Sequence, residues 1–261
     1  MTALNPEISV VVPVYNEEEN VPRLAREVLE ALGALGRPFE LVLVDDASTD
    51  KTWQRIQEAA ASDARIHGVK HQRNCGQSAA LWTGFQHSTG SIIATLDGDL
   101  QNDPADLPSM IRQLSEVDFV SGTRKNRADT WVRKASSRVA RSARKACLKI
   151  DVHDSGCAIR AFHRKVLGVV FPFNGLHRFM PILVASGGFN VRQVPVNHRP
   201  RIAGISKYGV GNRLWRGILD LFGVAWFQKR QLKPVDVSCT GTPSPNSRKE
   251  ATRESSATTP R

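Results

Sequence analysis

Residues 95–104 read TLDGDLQNDP, which sets Asp97, Asp99 and Asp103 beside the amides of Gln101 and Asn102, directly after the apolar run Ile92-Ile93-Ala94. Carboxylates gathered at the tip of a buried strand repel one another. Turn hydrogen bonds, a cation, or a phosphate arriving with a cation must compensate them. Mg²⁺ takes one or two protein carboxylates and fills its octahedron with waters and phosphate oxygens. Asp97 and Asp99 suit that need: two acids on one tight turn, with Gly98 between them presenting no side chain to an incoming ligand. The side-chain oxygen of Gln101 can complete the shell. Two plainer readings compete. Asp and Asn routinely cap turns, and D-x-D-x-x-x-D superficially matches a calcium loop. An EF-hand is excluded, because its sixth position would be Asn102 rather than Gly and its twelfth Pro108 rather than Glu.

The elements that must hold this loop are legible as alternating apolar runs and helical patterns. Strands are expected at 8–12, 41–44, 66–69, 92–96 and 119–121, and helices at 21–35, 52–61 and 78–87. Strand, helix, strand at this spacing predicts an α/β domain with a mostly parallel sheet. In such sheets ligands bind beyond the carboxyl ends of the strands. Three of the predicted strands end in polar groups there: Tyr15-Asn16-Glu17, Asp45-Asp46 and Asp97-Gly98-Asp99.

Composition narrows the partners. A formal charge of +11 over 261 residues points to anions: phosphorylated ligands, an acidic membrane surface or nucleic acid. The acids cluster at strand ends, where a binder of phosphate backbones would avoid them, and no recognition motif is present, so nucleic acid is the poorest of the three. Cys75, Cys147, Cys157 and Cys239 form no CxxC pair, which argues against a zinc cage or a disulfide framework. The opening MTALNPE lacks the basic and apolar regions of a signal peptide. No stretch approaches the roughly 20 apolar residues of a membrane span. A cytoplasmic location is the expectation.

Two segments suit a bilayer surface. Lys134, Arg138, Arg141, Lys145 and Lys149 step by four, three, four and four along one face of a predicted helix that contains no acid. That face is either solvated or a site for phosphate head groups. The run LWRGILDLFGVAWF (214–227) carries Trp215 and Trp226 and is interrupted by charge. It fits a helix lying at an interface, and equally a core helix or a homo-oligomer contact. From Pro234 onward half the residues are Ser, Thr or Pro without apolar periodicity, the composition of a disordered tail.

The motifs PVYNEEEN, VDDASTD, NCGQSAALWTGF and LDGDLQNDP stand in the order and spacing of glycosyltransferase family 2. GTR (122–124), DSGCAIRAF (154–162), HRFMP (177–181) and VNHRPRIAGISKYG (196–209) resemble the branch of dolichol-phosphate mannosyltransferase and its bacterial polyprenyl-phosphate relatives. The resemblance covers roughly residues 6–230. It implies a GT-A-like nucleotide-diphospho-sugar transferase domain, expected over 1–212, and the composition of the C-terminal stretch adds an amphipathic helical segment over 213–233 and the tail 234–261. By the family pattern, Pro13, Tyr15, Glu17, Asp46 with Asp45, Asp97 and Gly98 surround the nucleotide. Asp99 and Gln101 hold Mg²⁺ or Mn²⁺. Arg124 approaches the donor diphosphate, Arg133 and Ser137 receive the lipid phosphate, and Arg201 and Lys207 attend the transferring sugar and the phosphates. Relatives often carry Lys where Ile205 stands here, so this loop has one charge fewer.

The implied reaction moves a hexose-type sugar, mannose-like by resemblance, from a nucleotide diphosphate to polyprenyl phosphate with inversion. It would occur at the cytoplasmic face of the membrane. By analogy with phosphoserine, whose second pKa is about 6, the acceptor phosphate is largely dianionic at pH 7. It needs no general base, so His177 and His198 are expected to be structural. A family member that instead extends a cell-envelope saccharide would need a carboxylate base for its hydroxyl acceptor.

Overall fold

The computed structural model describes residues 5–124, 154, 156–200 and 211–230, with the side chains of 211–218 excepted. β1 (Ile8–Val14) is buried along its whole length, as expected of a strand covered on both faces. Its residues divide strictly by face: Val10, Val12 and Val14 enter one core, and Val11 the other. α1 (Val21–Gly33) carries Pro22 in its first turn, where no hydrogen bond is lost, and buries Val21, Leu24, Ala25, Val28 and Leu32 at helical spacing. β2 (Phe39–Asp45), α2 (Thr52–Ser62), β3 (Ile66–Lys70), α3 (Gln77–His87) and β4 (Ile92–Thr95) follow. After them come α4 (Leu107–Arg112), β5 (Phe119–Arg124), β6 (Arg160–His163), α5 (Leu176–Ser186), β7 (Val191–Val196) and α6 (Gly211–Arg230).

The described strands form one seven-stranded sheet in the order β3-β2-β1-β4-β6-β5-β7. β3, β2, β1 and β4 run parallel, β6 lies antiparallel between β4 and β5, and β7 is parallel to β5. The mostly parallel sheet flanked by helices agrees with the expectation from sequence. The chain moves outward from β1 to β2 and β3, then returns to lay β4 on the other side of β1. Loops leaving β1 and β4 therefore diverge, and the crevice between them is where such a sheet accepts a ligand.

Four elements have no counterpart among those predicted: the short helix α4, β6, β7 and α5. β6 reads RAFH and contains a buried arginine, so it lacks an apolar run. β7 reads VRQVPV; its first four residues are half-buried, Pro195 is exposed and only Val196 is buried. α5 contains Pro181 in its interior, which ordinarily breaks a helical pattern. A proline at 181 cannot donate to the carbonyl of His177 four residues earlier. The Nη2 of Arg160 donates to that carbonyl instead, at 2.5 Å, so β6 repairs the break in α5.

α6 has two faces. Leu221 and Val224 are buried, and Phe227 lies against Phe171 with ring centroids 3.9 Å apart. Leu219, Phe222 and Trp226 are 54, 63 and 62 % exposed at one-turn spacing. Among the described residues no helix is long and apolar enough to cross a membrane. One compact unit ends at Gln228; beyond it, only Lys229 and Arg230 are described.

α3 lies directly on β1 and β2 through Gly84. A Cβ there would stand 2.2 Å from the Cγ1 of Val11 and 3.2 Å from the Cγ2 of Val44. Gly84→Ala is expected to destabilise the protein by about 1–3 kcal/mol, the usual cost of overpacking. Gly33→Ala, with nothing within 4 Å of the added methyl, should not. Urea unfolding midpoints of the two variants check this; equal midpoints would show that α3 sits farther from the sheet.

Candidate functional site

The loop after β1 is built to grip the loop after β2. Asn16 takes a left-handed backbone (φ 53°), a conformation asparagine tolerates. Its N–H donates to Ser48 Oγ at 2.8 Å, while its Oδ1 accepts from the Thr49 N–H at 2.8 Å. The Glu17 N–H donates to Thr52 Oγ1 at 2.8 Å, and its carboxylate accepts from Asn20 Nδ2 at 2.6 Å. Tyr15 stands half-buried between Asn16 and the end of β1.

Asp45 and Asp46 are both buried, and they differ in what they touch. Asp45 Oδ1 accepts from the Ser48 N–H at 3.0 Å, whereas Oδ2 has no partner among the described residues. Asp46 is filled by its own chain. Its Oδ1 accepts from the Cys75 N–H and faces His71 Nδ1, both at 2.8 Å, and its Oδ2 accepts from the Gly76 N–H at 2.7 Å. Asp46 therefore shapes the Asn74-Cys75-Gly76 turn, and so the wall that this turn contributes to the site. His71, Asp46 and Cys75 lie close enough to resemble a metal cluster. Both imidazole nitrogens are already engaged, however, Nε2 by Thr83 Oγ1 at 2.9 Å, which makes the group a hydrogen-bonded brace.

The turn at 97–99 exists because position 98 is glycine. A Cβ there would stand 2.7 Å from Val14 Cγ1 and 3.2 Å from the Pro13 carbonyl oxygen. Pro13 thus helps by placing its backbone against this turn. Asp97 Oδ1 accepts from Gln77 Nε2 at 2.7 Å, and Asp99 Oδ1 from the Gln101 N–H at 3.2 Å. Asp99 is 8 % exposed, and the donor set of Asp97, Asp99 and Gln101 is all oxygen, which suits Mg²⁺ or Mn²⁺ rather than a thiophilic ion.

The block VNHRP clamps this loop from outside. The Arg199 N–H donates to the Gln101 carbonyl at 2.8 Å, and Asn102 bridges His198. The guanidinium of Arg199 reaches Glu27 at 2.6 Å and Asp103 at 2.7 Å. Burial works against a charge on Glu27, yet Arg23 and Arg199 hold its carboxyl below its ordinary value.

On the far side of β4, Arg124 makes a two-pronged pair with Asp154, 2.8 Å from Nε to Oδ2 and 2.8 Å from Nη2 to Oδ1. Arg160 is 2 % exposed. Burial pulls its pKa down, and Cys157, Asp97 and Asp154 oppose that pull. Cys157 is no nucleophile, since burial pushes its thiol up to about 11.

These pieces surround a cleft of about 590 Å³ whose lining includes Gln77, Asp97, Arg160, His177, Arg178 and Asp220. Of the positions expected from sequence, Asp97 lines the cleft itself. Gly98, Asp99, Gln101 and Pro13 belong to the turn that carries it. Asp46 acts through the adjoining Asn74–Gly76 wall, and the Arg124 Nη2 lies 3.5 Å from where a Cβ of Gly156 would stand, at the cleft edge. Arg133, Ser137, Arg201 and Lys207, with the basic stripe from Lys134 to Lys149 and Ile205, lie outside the described residues. Gln77, Arg160, Arg178 and Asp220 escaped sequence reasoning. Only the proline inside HRFMP hinted that something must satisfy the His177 carbonyl.

Comparison with known proteins fits this geometry. The description "Glycosyl transferase family 2" matches residues 9–171, well over half of the chain. A dodecaprenyl-phosphate galacturonate synthase from Rhizobium johnstonii is 38% identical over 87% of this chain and 69% of its own length. An undecaprenyl-phosphate 4-deoxy-4-formamido-L-arabinose transferase from an Enterobacter species is 38% identical over 77% of this chain and 62% of its own. The chain therefore spans about two thirds of these relatives. Among solved structures, glucosyl-3-phosphoglycerate synthase of Mycobacterium tuberculosis with Mg²⁺ and UDP superposes with a TM-score of 0.62 at 20% identity, over 84% of this chain and 80% of that one. A mannosyltransferase of Pyrobaculum calidifontis with GDP-Man and Mn²⁺ gives 0.58 at 23%, over 88% and 66%. These two share the fold. With its sheet, its carboxylate turn at the β1–β4 switch and this sequence match, the chain belongs to glycosyl transferase family 2.

Proposed function

We propose that the protein transfers a sugar from a nucleotide diphosphate to a polyprenyl phosphate in this cleft, inverting the anomeric carbon. The observation that carries the reading is the clamped Asp97-Gly98-Asp99 turn, whose Asp97 lines one cleft together with Arg160 and Arg178. The polyprenyl-phosphate substrates in the names of both curated relatives support the acceptor. Their named sugars, galacturonate and 4-deoxy-4-formamido-L-arabinose, differ from each other and from mannose. The donor is therefore proposed only as a nucleotide-activated monosaccharide.

Asp99 and Gln101 would hold a divalent cation, with Asp97 beside it. When bound, the cation stabilises charge on the departing diphosphate. Asp45 Oδ2, buried and without a partner among the described residues, would offer an acceptor to an N–H of the base or a hydroxyl of the ribose. Arg124, fixed by Asp154, approaches the diphosphate. Arg133, Ser137, Arg201 and Lys207 take the phosphates and the sugar as the family pattern has them. Both substrates are anions, so fixed cations that screen their repulsion matter more than proton transfer.

For location, the exposed stripe of Leu219, Phe222 and Trp226 supports peripheral attachment to the cytoplasmic face of a membrane. The domain limits 1–212, 213–233 and 234–261 are part of the same proposal.

Two experiments test it. Purified protein with Mn²⁺, polyprenyl phosphate and a panel of labelled UDP- and GDP-sugars should move label into the lipid phase. Asp99→Asn should lower that turnover by about 10²–10³-fold with the fold intact, and excess chelator should abolish it until Mn²⁺ is restored. Label passing only to saccharide hydroxyls would refute the acceptor, and full activity in chelator the metal.

The second is flotation with anionic vesicles. Each buried Leu, Phe or Trp adds about 1.5–3 kcal/mol that salt leaves largely intact. Wild type should float at low salt, and the triple variant Leu219→Ser, Phe222→Ser, Trp226→Ser should remain in the dense fraction. Equal flotation of the two proteins would place the membrane contact elsewhere.

A further inference from the structure

The first turn of α5 carries Arg178, which lines the same cleft as Asp97. Nη2 pairs with Asp220 of α6 at 3.1 Å, whereas Nε is buried and has no hydrogen-bond partner among the described residues. A buried, unpaired N–H of a charged group is costly, and cleft-lining donors of this kind mark the place of an incoming acceptor. The pair is held tightly. Gly175, the N-cap of α5, has φ 123°, and a Cβ there would stand 2.8 Å from Asp220 Oδ2. Glycine thus admits the Asp220 carboxylate to the positive end of α5, which stabilises the acid and fixes the arginine that it holds.

The residue before Asp220 supplies the second half of the argument. Leu219 lines the cleft and is also 54 % exposed, the first member of the apolar stripe that continues through Phe222 and Trp226. At the α6 edge of the cleft, apolar surface therefore gives way within one residue to the half-buried Asp220–Arg178 ion pair, whose arginine Nε is fully enclosed. That sequence of surfaces matches an amphiphile with an apolar chain and an anionic head.

We propose that Arg178 is an acceptor-binding residue: it receives the monoester phosphate of the polyprenyl substrate, whose chain leaves the cleft over Leu219. Asp220 is the positioning residue that presents the guanidinium. This rests on the acceptor assigned above and adds a cation to the phosphate ligands that sequence resemblance suggests. The oxyanion at Arg178 has one other source, a carboxylate on the donor sugar, and the test separates the two.

Binding of citronellyl phosphate is measured calorimetrically, with citronellol as the headless control and UDP or GDP with Mn²⁺ as the check on nucleotide binding and folding. Acceptor and donor KM are read in parallel. Wild type should bind the phosphate and not the alcohol. Arg178→Gln should weaken it at least about tenfold, since charge-assisted hydrogen bonds are lost, and should leave nucleoside diphosphate affinity unchanged. Arg178→Lys, which keeps the charge without the planar fork, should fall between them, and Asp220→Asn should raise acceptor KM alone.

Unchanged citronellyl phosphate binding in Arg178→Gln would overturn the proposal, leaving the pair a tie between α5 and α6. So would a loss confined to the preference for UDP-galacturonate over UDP-galactose, which would assign the anion to the donor. If Gln at 178 unfolds the protein, an unchanged acceptor KM in Arg178→Lys is the overturning result. Failure of wild type to bind citronellyl phosphate sinks this inference. Arg178-dependent binding without any sugar transfer sinks the proposed reaction instead.

Discussion

Four carboxylates crowd the carboxyl edge of one sheet, and the arrangement of the site follows from how each is compensated. Asp46 is enclosed by two backbone N–H groups and an imidazole, Asp97 takes a glutamine amide, and Asp99 takes the backbone of its own turn. Asp45 keeps one oxygen unpartnered among the described residues. Acids buried without such donors would protonate or push the loops apart. The backbone donors to Asp46 and the amide donor to Asp97 come from the turn before α3 and from its first residue, so satisfying these acids fixes one part of the cleft lining. The VNHRP block completes the arrangement by tying the carboxylate loop to α1 through Arg199.

The opposite half of the cleft depends on a defect. Pro181 removes one hydrogen bond from α5, and the carbonyl it orphans is taken by Arg160, a side chain desolvated in the middle of the sheet. A buried guanidinium is an expensive way to mend a helix if that is its whole purpose. Here it also places a positive charge in the lining of the cleft where the two anionic substrates of the proposed reaction would meet. The same residue thus links helix geometry, sheet packing and site electrostatics.

α6 joins the site to its surroundings. Its inner face packs on the aromatic residues after β6, its outer face exposes an apolar stripe, and its Asp220 reaches the first turn of α5. Anything that seats the stripe would bear on the cleft wall, because Leu219 and Asp220 are neighbours on one rigid helix. A transferase with a lipid acceptor needs these two surfaces in register.

The sequence by itself determined the α/β alternation, the strands from β1 to β4 to within a residue or two, and the loops where chemistry gathers. Those features are written in short periods and turn residues such as Gly98, which act over a few positions. The family, too, was legible, because its motifs are local strings. Tertiary structure alone decided the rest. β6 and β7 escaped notice because a strand carrying Arg160 or Pro195 has no apolar period, and only its neighbours in the sheet make it a strand. The donors that join Asp46 to the Asn74–Gly76 turn lie 25 to 30 positions away in the chain. Arg178 and Asp220, 42 residues apart, meet only because α6 packs back beside α5. Such pairings depend on how the chain crosses the sheet, and no local pattern of residues encodes that path.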